Sequence, residues 1–367
     1  MKRVITTLFF LSLLLYNGNA QASAVSAIVI EESSGRVLYA SNADSPLPMA
    51  STTKIMTALV ALENASLDET VTVGKNAFGV PGTSVYLEEG EKLTVRQMLY
   101  GLMLASGNDA AVAIAEHVSG GVEEFCALMN EKAAEIGCVN THFVTPHGLP
   151  AADHYTTARE LAMIAREAMK NREFRQIVST QRATIPWSSR GHDRILNNKN
   201  KLLATYTGAL GIKTGYTKAA GRCLAFAAER NEMTLIGVVL NCPEWFDVSA
   251  QLLDNAFSQY MMKKMLSAGD VIAAVDVVGG TEKTVPVLVQ SDVVLPVLKE
   301  EEPNLVISLP QSLPAGIKAG EIIGLVEMVI GDKTLLEVPV VTKYAVPERT
   351  FLTELRRNLE SWPVVSN

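Results

Sequence analysis

Three short segments hold the side chains of this chain that could make and break an acyl bond: Ser51-Thr52-Thr53-Lys54, Ser106-Gly107-Asn108 and Lys213-Thr214-Gly215. Each alone is a weak signal; their order and separations carry the weight. On a helix, the i, i+3 spacing puts the Ser51 hydroxyl and the Lys54 amine on one face, within hydrogen-bond reach. A nucleophile then sits beside a base. The first helical turn adds free N–H groups and the positive end of the helix dipole, which favour developing negative charge on Ser51. An ordinary lysine, with a pKa of about 10.4, is already protonated at neutral pH, but burial and a second cation lower that value. Lys213 is a candidate for the second cation. Ser106 and Asn108 lie between two predicted helices and can project from a tight connection toward a cleft; the alternative is that Ser106 belongs to an N-cap of the helix starting at Asn108. Lys213 and Thr214 end an apolar strand, where they can grip a substrate carboxylate. Gly215 there lacks the Cβ that would keep an extended ligand from the strand edge. The N–H groups of Ser51 and Tyr216 could form an oxyanion hole.

The elements that must position these residues are legible in outline. Residues 27–32 and 37–39 are apolar stretches around Ser33-Ser34-Gly35-Arg36, a hairpin signal. Segment 51–63 is apolar at helical spacing without Gly or Pro. Thr94-Val95-Arg96-Gln97 is a capping box for a helix through residue 104, 108–118 is a third helix, and Thr157-Ala158-Arg159-Glu160 is a second capping box. Strand character returns at 208–214, 222–228 and 234–240, and 252–265 reads as a closing helix. Strands at both ends of a helical segment, joined by short turns, predict an α/β fold of the α+β type: one antiparallel sheet covered by helices. From about residue 270 the runs 271–278, 285–290, 293–298, 305–309, 322–330 and 335–341 are short and β-rich. They predict a small all-β module, too small for a catalytic pocket of its own. The expected organisation is a signal peptide over 1–24, a catalytic domain over 25–266, a β-rich domain over 267–346 and an amphipathic helix over 347–367. In that last helix Phe351, Leu355, Leu359 and Trp362 share one face near Arg349, Arg356 and Arg357.

Composition excludes several classes. With 367 residues, 48% hydrophobic and 19% charged, the chain is globular rather than disordered, and it is long enough for two domains. A net charge of −7 argues against a basic nucleic-acid binder. Lys2 and Arg3, the apolar run 4–16 and small residues up to Ala24 read as an export signal; a run of thirteen residues falls short of the ~20 that a membrane-crossing helix needs. Cys126, Cys138, Cys223 and Cys242 show no CxxC spacing and read as small buried side chains, with one bridge possible in an exported protein.

The three motifs together resemble those of the penicillin-binding, active-site-serine peptidases, and specifically the low-molecular-mass D-alanyl-D-alanine carboxypeptidases of the penicillin-binding protein 5-like group. The similarity extends through PMASTTKIMTALVALE, LMLASGNDAAVAIAEHV, FVTPHGLPAADHYTTARELAMIAREAM, NNKNKLL and GIKTGYTKAAGRCLAFAAERNEMTLIGVVLN, covering residues 25–345. It implies a β-lactamase/transpeptidase-like fold and a cofactor-free reaction with no metal. Its substrate would be a peptidoglycan stem peptide ending in D-Ala-D-Ala, with β-lactams as covalent inhibitors. The resemblance further implies an extracytoplasmic enzyme at the outer face of the cytoplasmic membrane, in contact with it through the C-terminal helix. Ser51 would attack the penultimate D-alanine carbonyl, Lys54 would accept its proton and Ser106 would relay a proton to the leaving group. Asn108 would hold the substrate amide, Lys213 would tune the field and Thr214 would bind the terminal carboxylate. Position 216 departs from the pattern, because some relatives carry histidine where this chain has Tyr216.

Competing readings are distinguishable. No GxSxG elbow serves a Ser-His-Asp hydrolase, and His142, His147 and His154 lack an HExxH pattern or a completing acidic or cysteine ligand. A β-lactamase shares all three motifs but needs an ExxLN glutamate for deacylation; Asp193 in DRILN is the nearest approach. A non-catalytic module that senses β-lactams or holds wall peptides would use the same pocket without releasing D-alanine.

Overall fold

The computed structural model describes residues 26–353 and residue 355. The expected signal peptide and most of the expected C-terminal helix, with Leu359 and Trp362, lie outside the described residues. The chain opens with β1 (Ser26–Glu31) and β2 (Val37–Ser41), paired antiparallel as the hairpin signal predicts. A 3-10 turn over Ala50–Thr53 leads into α1 (Lys54–Asn64), whose Ile55, Met56, Leu59 and Val60 are all buried. Burying each such side chain contributes about 1.5–3 kcal/mol. Two short strands, β3 (Thr70–Thr72) and β4 (Lys92–Thr94), flank a long loop and pair with each other. Then come α2 (Val95–Tyr100), a π-helical turn over Gly101–Ala105, α3 (Asn108–Ser119), α4 (Val122–Ile136), α5 (Ala158–Lys170) and α6 (Arg172–Ser179). A hairpin of β5 (Arg182–Trp187) and β6 (His192–Asn197) and the short α7 (Leu202–Thr205) precede β7 (Ala209–Thr217), β8 (Gly221–Arg230), β9 (Met233–Leu240) and α8 (Trp245–Gln259).

The main sheet runs β2-β1-β9-β8-β7 with antiparallel neighbours, so the first and last strands of the segment share one layer. Side chains alternate across it. Ile28, Ala225, Ile236 and Val238 face the core formed with α1–α6, while Val29, Leu224, Phe226 and Leu235 face α8. β7 ends the order, which leaves the Lys213–Gly215 segment at an edge of the sheet.

Several local expectations need correction. Thr94 forms the full capping box, but at Thr157 only half of it exists: the Thr157 hydroxyl accepts from the Glu160 N–H, while the Glu160 carboxylate accepts from the Val139 and Asn140 N–H groups instead. The helix expected over 252–265 is α8, which starts and ends earlier. Residues beyond it form β10 (Tyr260–Leu266), which pairs with β13 (Val293–Leu298). The remaining strands, β11 (Val271–Val278), β12 (Thr284–Val289), β14 (Asn304–Ser308), β15 (Ser312–Pro314), β16 (Ile322–Ile330) and β17 (Lys333–Thr342), form a six-stranded sheet ordered β14-β16-β17-β12-β11-β15. Val287, Leu295, Val326 and Val340 fill its separate core. Arg36, at the end of the β1–β2 turn, reaches this β-rich part: it donates to the Pro296 carbonyl and pairs with Glu301 at 2.6 Å. All four cysteines are buried and unbridged.

Candidate active site

Ser51 lies inside the 3-10 turn rather than in the first turn of α1, and the backbone immediately before it is unusual. Ala50 has φ +48°, a left-handed conformation that costs a non-glycine residue of order 1 kcal/mol or more and persists only where surroundings fix it. Those surroundings are specific. The Thr53 hydroxyl donates to the Ala50 carbonyl at 2.8 Å, and the Thr52 hydroxyl donates to the Met49 carbonyl at 2.6 Å. His154 holds the turn from the other side: its Nδ1 accepts from the Val144 N–H, leaving Nε2–H to donate to Thr53 Oγ1 at 2.8 Å. Burial pushes His154 down to about 4, so the ring is neutral at physiological pH. Gly148 packs so closely that a Cβ there would lie 1.9 Å from the Ala50 carbonyl oxygen.

Lys54 is fully buried and its Nζ has three partners: Ser51 Oγ at 3.1 Å, Asn108 Oδ1 at 2.7 Å and the His147 carbonyl at 2.8 Å. Burial holds its pKa well below the ordinary lysine range, the charges of Lys213 and Lys199 push the same way, and Asp109 opposes them. A neutral amine has two N–H donors and one lone pair. In that form the two carbonyl oxygens would take the donors and leave the lone pair for the Ser51 hydroxyl, whereas a protonated amine donates to all three.

Ser106 closes the π-helical turn in a left-handed conformation, φ +66°. The N-cap of α3 is Gly107, which has no side chain, so the alternative reading of Ser106 as that cap does not hold. Asn108 is anchored to the 81–87 loop: its N–H donates to the Thr83 carbonyl at 2.7 Å and its Nδ2 to the Pro81 carbonyl at 2.6 Å. On β7, Lys213 is 1% exposed and donates to the Thr214 carbonyl at 3.0 Å; burial first, then Lys199, pushes it down to about 7. Gly215 has a different neighbour from the one expected. A Cβ there would meet the Ser51 nitrogen at 2.9 Å, the Thr52 nitrogen at 3.0 Å and the Met49 oxygen at 3.1 Å, so the glycine admits the Ser51 turn itself against the strand. Tyr216, opposite Arg222 on β8, is exposed.

A cleft of about 840 Å³ joins these parts, with Ser51, Ser106, Lys199, Thr214, Tyr216 and Trp245 in its wall. The structure thus gathers all three segments. Sequence reasoning missed Lys199, Asp109, Gly148 and the His147 carbonyl; of these, Lys199 lies inside the NNKNKLL segment, and His147 and Gly148 inside FVTPHGLP. Asp193 is exposed on the β5–β6 hairpin and is not among the residues that line the cleft.

Comparison with known proteins gives the same placement. The D-alanyl-D-alanine carboxypeptidase family model matches residues 16–244, and the model of the penicillin-binding protein 5 C-terminal domain matches 260–348. The chain is 34% identical to the D-alanyl-D-alanine carboxypeptidase DacF of Bacillus subtilis over 350 residues, covering 92% of this chain and 90% of that protein. It is 31% identical to DacA of Escherichia coli over 358 residues, covering 92% and 87%. Among solved structures, penicillin-binding protein 5 of Haemophilus influenzae superposes with a TM-score of 0.78 at 29% identity, covering 89% of this chain and 98% of that one. Matches that run nearly end to end in both sequence and fold leave one conclusion: the chain belongs to the D-alanyl-D-alanine carboxypeptidase family.

Proposed function

We propose that this protein is a serine-type D-alanyl-D-alanine carboxypeptidase that removes the terminal D-alanine from peptidoglycan stem pentapeptides through an acyl-enzyme on Ser51, and that penicillin acylates the same residue. The observation that carries the reading is the fully buried Lys54 amine 3.1 Å from the Ser51 hydroxyl, with a second buried lysine among the charges acting on it. The Ser51 proton passes to the Lys54 lone pair as Oγ bonds to the penultimate D-alanine carbonyl carbon. The N–H groups of Ser51 and Tyr216 receive the oxyanion. The C–N bond to the terminal D-alanine then breaks, and Ser106 relays the proton to the departing amine. Asn108 holds the substrate amide, Thr214 and Lys213 hold the terminal carboxylate, and Gly215 leaves room for the turn. Water hydrolyses the ester and restores the Ser51 hydroxyl. A β-lactamase would need a deacylating base near the ester, and the exposure of Asp193 on its hairpin speaks against that role.

The same reading makes residues 1–24 a signal peptide, residues 25–266 the catalytic domain and 267–346 a β-rich domain, with 347–367 lying on the outer face of the cytoplasmic membrane. The exposure of Phe351 (81%) and Leu352 (73%) supports the last assignment. No helix among the described residues is long and apolar enough to cross a membrane. The test is intact-mass analysis after exposure to penicillin, paired with an assay of D-alanine release from a peptide ending in D-alanyl-D-alanine. A long-lived penicilloyl adduct and repeated release of D-alanine are expected, both lost in Ser51→Ala. Rapid turnover of penicillin with no D-alanine released would reverse the assignment in favour of a lactamase.

A further inference from the structure

Asp109 follows Asn108 on α3 and is 1% exposed, yet its carboxylate touches no substrate-facing group. It accepts from the Ser84 hydroxyl at 2.6 Å, from the Val85 N–H at 3.1 Å, from the Leu87 N–H at 3.0 Å and from the Ala110 N–H at 2.9 Å. Three of those donors belong to one strap, residues 81–87, whose other end carries the Pro81 and Thr83 carbonyls that hold Asn108. Arg194 ties the strap onward, donating to the Tyr86 carbonyl at 2.8 Å and forming a buried pair with Glu91. Close packing leaves the strap little freedom: a Cβ on Gly82 would lie 2.8 Å from Asn108 Nδ2, and one on Gly107 would lie 3.2 Å from Val85 Cγ1.

We propose that Asp109 is a positioning residue for the candidate base: its carboxylate fastens the 81–87 strap to the start of α3, and the strap holds the Asn108 amide with Oδ1 turned toward Lys54. The logic is one of orientation. An asparagine amide can present either its oxygen or its NH2 to a neighbour. The Pro81 carbonyl accepts only, so it selects the NH2, which leaves Oδ1 for Lys54. If the strap shifts, that selection is lost, and the amine that faces Ser51 is no longer fixed.

Charge gives the role a readout that packing alone lacks. The charged groups that act on Lys54 are Lys213 on β7, Lys199 between β6 and α7, and Asp109 on α3; His147 on the adjoining loop is pushed down to about 4 by burial and by Lys54, so its imidazole is neutral at physiological pH. Of these, Asp109 is the anion and favours the protonated amine. Its removal therefore moves the acidic limb of the acylation profile to lower pH.

The inference rests on Lys54 as the base, which Lys54→Ala tests separately: a folded Lys54→Ala protein that still acylates overturns that reading without reference to Asp109. With the full chain and benzylpenicillin, Asp109→Asn is expected to lower the plateau acylation rate by about tenfold or more, with the acidic limb displaced downward. A plateau within about threefold of the parent, or a limb that does not move, overturns the proposal. Where Asp109→Asn yields no folded protein, Ser84→Ala decides: it removes one donor and keeps the charge, so the plateau should fall about threefold with the limb in place. A parental rate in Ser84→Ala then refutes it.

Discussion

Replacing Gly215 with alanine separates two explanations of that glycine. The added Cβ meets three backbone atoms of the Ser51 turn at 2.9, 3.0 and 3.1 Å. An ordinary van der Waals contact needs about 3.5 Å, so strand and turn must part by roughly half an ångström. Neither side yields easily, because β7 is paired to β8 through this position and the turn is tied by Thr52, Thr53 and His154. Overpacking of this kind costs about 1–3 kcal/mol, which for a domain of this size lowers Tm by roughly 2–12 °C. The turn carries Ser51, and a misplacement of about 1 Å near a reacting centre costs on the order of 10²-fold. Half of that displacement predicts a loss of about tenfold in acylation rate. The assay is the second-order rate of adduct formation with penicillin, followed by mass, alongside a thermal melt. A Gly215→Ala protein with parental Tm and a raised KM for peptide would refute the packing argument and return the glycine to a role in admitting ligand.

Two further expectations concern pH and the tail. If Lys54 is the base and Lys213 grips the carboxylate as proposed, acylation should fall as pH drops through the lowered pKa of Lys54, and peptide KM should rise as pH climbs past about 7, where Lys213 loses its proton. Between about 7 and the ordinary lysine value of 10.5 the unfolded chain binds a proton at position 213 that the folded chain does not, so stability to denaturant should increase with pH across that window; a flat or falling trend would contradict it. Deleting residues 349–367 should shift the protein from the membrane fraction to the soluble fraction, and unchanged partitioning would count against the anchor.

Side chains that declare their chemistry were legible in the sequence: Ser51, Lys54, Ser106, Asn108, Lys213 and Thr214 could be read off their spacing. The main sheet was legible too, because its strands are continuous apolar runs separated by short polar turns. What could not be read is structure made by backbone. The His147 carbonyl that takes a proton of Lys54, and the Pro81 carbonyl that orients Asn108, are groups every residue has, and only the fold selects them. Gly148 and Ala50 depend on a close approach between segments about a hundred residues apart. Misreading 260–265 as helix has a similar origin. Its apolar residues satisfy both periods locally, and the partner β13, reached only in three dimensions, decides for strand.

The sealed position of Lys54 also governs where a proton can go during turnover. Two of its three partners are carbonyl oxygens, which accept a hydrogen bond but pass nothing on; the Ser51 hydroxyl is the partner that can relay. Acylation converts that hydroxyl to an ester and closes the relay. In the proposed sequence the proton that Lys54 took from Ser51 has by then left through Ser106 with the departing amine, so the neutral Lys54 of the acyl-enzyme waits for an O–H from an incoming water. A departing D-alanine clears the way for that water, whereas a tethered penicilloyl group stays in place. The lifetime of an inhibited enzyme would thus be set as much by blocked access of a water to the Lys54 amine as by the strength of the ester, and solvent deuterium should slow release of the adduct.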